Sequence, residues 1–104
     1  MKYLIENKAA NIKSKNEFLL IASKEGHLEV VKLLIEKGID INQIDIFRHN
    51  ALHWASNVEV VKLLIEKGID INQTDKNGWN ALHWASKRGH KEIEQILIDK
   101  GLKK

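Results

Sequence analysis

The sequence predicts an all-α solenoid of helix–turn–helix units joined by short β-hairpin fingers. Three observations carry this expectation. Residues 29–43 read EVVKLLIEKGIDINQ, and residues 59–73 repeat the same fifteen letters. Residues 50–56 and 80–86 both read NALHWAS. The interval between equivalent residues is 30 from Lys32 to Lys62 and from Ala55 to Ala85, but 33 from Ala22 to Ala55. A chain that repeats so closely consists of stacked units, each burying an apolar face against the next copy. The full unit is therefore 33 residues long, and the middle one has lost three.

The loss is local. The outer units carry Ser23-Lys24-Glu25-Gly26-His27-Leu28-Glu29 and Ser86-Lys87-Arg88-Gly89-His90-Lys91-Glu92, where the middle unit runs Ser56-Asn57-Val58-Glu59. Each unit contains two readable helices. The first follows Asn50 or Asn80, a good N-cap residue. The second starts near Glu29, Glu59 or Glu92, with Val60, Leu63 and Leu64 on a stripe of helical period. Acidic residues at its start and Lys37, Lys67 or Lys100 at its end suit the helix dipole. Gly38, Gly68 and Gly101 then close it. The resulting helix pairs are 17–25 with 28–37, 50–56 with 58–67, and 80–88 with 91–100. Between units, Ile-Asp-Ile-Asn-Gln leads into a polar turn such as Thr74-Asp75-Lys76-Asn77-Gly78, read as an extended β-turn arm. The deletion is expected to shorten the middle unit by about one helical turn, leaving a notch flanked by Lys24, Lys87 and Arg88.

Composition bounds the function. The chain has 104 residues, 43% hydrophobic and 30% charged, as suits one small folded domain. It has no cysteine, which excludes disulfides, thiolate metal sites and a cysteine nucleophile, and fits a cytoplasmic protein. Neither a signal peptide nor a membrane-spanning segment is readable. The formal charge of +3 is mild, and acids and bases are interleaved, a pattern of solvated faces more than of a nucleic-acid binder. The Lys, Ile and Asn bias is compatible with an AT-rich genome and a host-directed role.

Helix, turn, helix and finger at a 33-residue period resembles the ankyrin repeat. The residues that carry the likeness are Asp75-Lys76-Asn77-Gly78-Trp79-Asn80-Ala81-Leu82-His83, then Gly89-His90, and Leu63-Leu64-Ile65-Glu66-Lys67-Gly68-Ile69-Asp70-Ile71-Asn72, over roughly residues 17–102. The resemblance implies a protein-binding module with no cofactor and no catalysis. It divides the single domain 1–104 into an N-terminal cap at 1–15, a first repeat at 16–44, a shortened second at 45–74 and a capping third at 75–104. The chain departs from the family in several places. Asn-Ala replaces Thr-Pro before Leu-His, and there is no proline. Arg48 stands where the other finger has Gly78, so a remodelled finger is expected there. The first repeat has Leu20 in place of His53 and His83, and its finger is largely missing: Ile12 to Leu19 spans seven positions where Ile41 to Leu52 spans eleven. Lys91 and Glu94 replace apolar residues and mark a solvent-facing end; Tyr3-Leu4-Ile5-Glu6 reads as a worn second helix covering the other end.

The resemblance gives His53 and His83 a structural duty, an imidazole bonded to backbone between units, and it places His27 and His90 in the inter-helix turn. His49 has no such duty and is a candidate contact. Trp54 and Trp84 read as core. Trp79 is either a binding anchor beside a turn or a ring packed on the adjacent finger. Ile46 and Phe47 occupy a finger tip where the next unit has Lys76 and Asn77. Asp40, Asp45, Asp70 and Asp75 recur with the repeat, as turn formers do. No nucleophile–base pair or phosphate loop emerges. The expected contacts are therefore Ile46, Phe47, His49, Lys76, Trp79, Lys87 and Arg88, on a monomer that binds another protein with an acidic surface. A regulator that masks an enzyme is the nearest alternative, ahead of a nucleic-acid binder.

Overall fold

The structure is a computed structural model that describes residues 14–103, with side chains from Glu17 onward. Six helices follow one another: α1 (Ser14–Glu25), α2 (Leu28–Glu36), α3 (Ala51–Trp54), α4 (Val58–Glu66), α5 (Ala81–Arg88) and α6 (Lys91–Asp99). They pair as predicted. The odd-numbered helices form an inner row, α1 against α3 against α5, and the even-numbered helices an outer row behind it.

Local chemistry sets the helix starts. Asn50 accepts from the Leu52 and His53 amides, while the His53 ring accepts from the Asn50 amide at 3.1 Å; Asn80 and His83 repeat this capping box. Both ends of the first turn are thus satisfied by one polar pair. In α4 the stripe Val60, Val61 and Leu64 is fully buried, and its equivalents Ile93 and Leu97 seal α6. Ala22, Ala51, Ala55, Ala81 and Ala85 keep the inner row close-packed.

The three-residue deletion falls on α3. It is four residues long, against eight in α5. The outer units turn between helices through Gly26 and Gly89, both at φ 75°, so that the His27 and His90 amides reach back to the Ala22 and Ala85 carbonyls at 2.9 Å. The middle unit has no such turn. Asn57 caps α4 directly, accepting from the Glu59 and Val60 amides. One carbonyl of the short helix finds a donor in the next unit, and the serine just past that helix bonds the previous unit. Arg88 Nη1 donates to the His53 carbonyl at 2.7 Å, and Ser56 Oγ donates to the Lys24 carbonyl at 2.6 Å. The predicted notch is therefore bridged to both neighbours.

The fingers are runs of hydrogen-bonded turns, and among the described residues no segment is a strand. Successive fingers meet through the Lys76 amide and the Phe47 carbonyl at 3.1 Å, and through the Asp70 amide and Asn42 Oδ1 at 2.7 Å. The expectation of a remodelled middle finger is corrected here. Arg48 takes φ 70°, beside 79° for Gly78. The turn bonds are also the same: the Asp45 amide to the His49 carbonyl and the Arg48 amide to the Asp45 carbonyl match Asp75 to Trp79 and Gly78 to Asp75. The surrounding bonds hold a non-glycine residue in left-handed backbone rather than letting the finger change shape.

The two ends of the stack differ. Lys91 is exposed, as a solvent-facing end requires, while Val31 and Val61 are buried; Glu94 is half-buried rather than exposed. At the other end Phe18 and Val30 are exposed, although their equivalents Ala51, Ala81, Val60 and Ile93 are buried by a preceding unit. The expected covering segment, Tyr3–Glu6, lies outside the described residues.

Two predictions follow from packing and backbone. Leu64→Ala removes a side chain with 0% exposure and is expected to cost about 2–5 kcal/mol in a urea melt; an unchanged midpoint would show that Leu64 does not serve the core. Arg48→Gly relieves a left-handed residue but adds freedom to the unfolded chain, so a gain of roughly 0–1 kcal/mol is expected. A clear loss of stability would mean that the Arg48 side chain, not the turn, holds that finger.

Candidate interaction surface

The candidate face is built from the fingers and the inner helices, and two carboxylates, Asp75 buried and Asp45 half-buried, hold the two together. Asp75 Oδ1 accepts from the Asn77 and Trp79 amides at 2.9 and 3.0 Å, which shapes the finger. Its Oδ2 accepts from Trp84 Nε1 at 2.9 Å, which ties that finger to α5. The same oxygen accepts from His49 Nε2 at 3.0 Å, which ties it to the preceding finger. Asp45 repeats the first two duties, accepting from the Phe47 and His49 amides and from Trp54 Nε1 at 3.3 Å. Burial works against the Asp75 charge, but these donors outweigh it and hold the carboxyl down to about 2, from 3.8.

The rings nest around this carboxylate. His49 lies 5.2 Å from His53, with Trp54 and Trp84 edge-on at 6.1 and 5.6 Å. His53 Nε2 bonds the Trp79 carbonyl at 3.2 Å, across units. Burial lowers the His53 pKa from its usual value, and the nearby His49 lowers it further, against the raising effect of the Trp79 carbonyl bond. The neutral ring is thus favoured in the folded state. Among the described residues no group of three or more His, Cys, Asp or Glu side chains is arranged to hold a metal ion.

The expected contact residues fall into two sets. Ile46 and Phe47 stand exposed at a finger tip, and Lys76, Lys87 and Arg88 are exposed as well. His49 and Trp79 are half-buried. His49 does have a structural duty after all, as the bond between fingers. Trp79 folds back over its own inner helix, stacked on His83 at 5.4 Å and against Trp84 at 4.9 Å. Trp54 and Trp84, expected as core, are also half-buried, with their ring nitrogens spent on the finger carboxylates. Cations line the same face: Lys24 over Trp54 at 5.3 Å, Lys87 over Trp79 at 6.0 Å and Arg88 over Trp84 at 5.1 Å.

The pairing of Asp45 with Trp54 and Asp75 with Trp84 escaped the sequence reading, although it left a signal. Aspartate and tryptophan recur at a fixed nine-residue spacing in two units, and a recurrent acid before a recurrent indole N–H donor is a bond waiting to be drawn.

An inner row, an outer row and a finger bonded to the preceding unit through the Leu-His histidine His53 are the architecture the repeats demanded. A family model described as ankyrin repeats (3 copies) matches residues 1–75 and 44–104. The chain belongs to the ankyrin repeat family. No curated protein matches it. Ankyrin repeats are generally protein–protein interaction modules and typically non-catalytic. In this ankyrin chain no described helix is long and apolar enough to cross a membrane.

Acid should weaken the fold through Asp75. Its pKa is lower folded than unfolded, so its contribution is complete above about 3.8 and is lost as pH falls through about 2. Urea melts between pH 6 and pH 2 are expected to show stability dropping across that window, and an Asp75→Asn variant, less stable at neutral pH, to show a flatter acid limb. Parallel profiles for the two proteins would remove Asp75 from the account.

Proposed function

We propose that this chain is a cytoplasmic, monomeric, non-catalytic module that holds a partner protein along its fingers and inner helices. The observation that carries the reading is the pairing of an exposed apolar finger tip, Ile46 and Phe47, with a row of cations seated over indole rings on the same face. Large apolar side chains on a finger stay in water at a cost unless a partner covers them. Lys76, Lys87 and Arg88 favour a partner with an acidic surface. His49 and Trp79 contribute through their exposed edges and hold the fingers in register. A partner that is itself an enzyme, masked by this face, would use the same contacts.

Affinity capture from the source organism's lysate, run with the wild type and three variants, tests this. Phe47→Ala is expected to leave the melt unchanged and weaken partner binding by about 2 kcal/mol, the scale of an interface anchor. Trp79→Ala is expected to lower both binding and stability, the latter by roughly 1 kcal/mol for the lost ring stacking. Lys32→Ala on the outer row should alter neither. Capture that ignores Phe47 and Trp79 alike would move the interface off this face. Retention on DNA with a steep salt dependence would favour a nucleic acid instead.

A further inference from the structure

The first finger does not pack on the helix it faces. A groove of about 500 Å³ separates it from α1, lined by Leu20 and Ile21 on one wall, Ile44, Ile46 and Phe47 on the other, and Trp54 at the end. Its apolar walls stand open: Ile21 is 52% exposed, Ile46 77% and Phe47 52%. One unit later the equivalent space is full. There His49 reaches the Asp75 carboxylate, and Trp54, Trp84 and Trp79 crowd round it. Two substitutions explain the difference. Leu20 and Ile21 stand where the later units have His53-Trp54 and His83-Trp84, so α1 offers no imidazole to the His49 carbonyl, as His53 does to that of Trp79, and no indole to fill the space.

The groove is also polarised. Glu17, Leu20, Ile21 and Lys24 fall at i, i+3, i+4 and i+7 and so share one face of α1. Glu17 lies at one end of the groove. Lys24 lies just beyond the lining, its ammonium 5.3 Å over the Trp54 ring that forms part of it. The two charges are separated by about 10 Å of helix. The acid within the groove, Asp45, is already committed to two amides and the Trp54 indole.

We infer that this groove takes an extended segment of the partner protein in which a basic, a bulky apolar and an acidic residue stand at alternate positions, so that all three side chains face α1. The outer two are about 13 Å apart along the segment, within side-chain reach of Glu17 and Lys24, about 10 Å apart on the helix. The apolar side chain enters between Ile21 and Ile46. The basic residue meets Glu17, and the acidic one meets Lys24. This rests on the protein-binding role proposed above and names what that face recognises at its N-terminal end.

Selection of random twelve-residue peptides displayed on phage, against the immobilised full chain, tests the inference. Enriched sequences are expected to share the basic–apolar–acidic spacing in either chain direction. A synthetic enriched peptide is expected to bind Ile21→Ser at least about tenfold more weakly. Reselection on Glu17→Lys should exchange the basic residue for an acidic one. The exposed sites of both substitutions should leave the melting curve unchanged. Enrichment without that pattern, equal binding to Ile21→Ser, or no enrichment overturns the groove. If Ile21→Ser and Glu17→Lys are silent while Trp79→Ala and Lys87→Ala abolish binding, the groove falls and the broader face stands. If all four are silent, both fall. Self-association that Ile46→Ser abolishes, with no peptide enriched, would make a second copy the occupant and overturn the inference too.

Discussion

The buried Asp75 carboxylate is the point at which separate pieces of this protein become one surface. A finger is a loop with no core of its own, and successive fingers share too few backbone bonds to form a sheet. Asp75 fixes the turn through two amides, the inner helix through an indole and the neighbouring finger through an imidazole. Every lone-pair direction of the buried group is directed at a donor. This is why it stays charged in a place that otherwise opposes charge. Asp45 does the same for its own turn and helix, and the left-handed Arg48 is tolerated inside that frame. A residue costing about 1–2 kcal/mol in its own backbone persists when the bonds around it outweigh that cost.

The same economy of local bonds explains how the middle unit survives its deletion. Shortening an inner helix exposes carbonyls that the next turn would have capped. Arg88 of the next unit takes the His53 carbonyl, while Ser56 of the short unit donates outward to the Lys24 carbonyl of α1. Arg88 therefore has two tasks: one nitrogen serves the fold while the guanidinium face rests on Trp84. A solenoid transmits little beyond nearest neighbours, and here the repair also goes no further than the adjoining units.

Much of this was legible in the sequence. Fold class, the six helices and the site of the shortened turn all follow from the register of Ala22, Ala55 and Ala85 and from the caps at Asn50 and Asn80, because spacing is a property of the chain itself. The fingers were harder. Arg48 suggested a changed turn because glycine preference is a local rule, whereas the bonds that override it come from Asp45 and from the next finger. His49 seemed free because its partner lies 26 residues away. Trp79 could not be placed from its position beside Gly78, since stacking on His83 depends on how the finger folds back. Sequence position indicates which residues are near the face; only the tertiary bonds decide which of them still have a surface to offer.

That distinction orders the surface itself. In the second and third units the positions after Leu52 and Leu82 are His-Trp, and those rings draw a finger inward and occupy the space beneath it. The first unit has Leu20-Ile21 there, so the finger of the next unit is tied to its own helix by the Asp45–Trp54 bond while Leu20 and Ile21 face it from α1 with no ring and no donor. Hydrophobic contact without a directional bond does not fix a loop's distance from a helix, whereas Asp–indole and Asp–imidazole bonds do. A degenerate terminal repeat thus has a consequence beyond weaker stacking. By losing the polar pair that closes the face elsewhere, it leaves an apolar opening at the one end where the inner helix also carries an acid and a base on the same side. Sequence divergence concentrated in that unit makes the surface differ from place to place along a chain whose other letters are nearly identical.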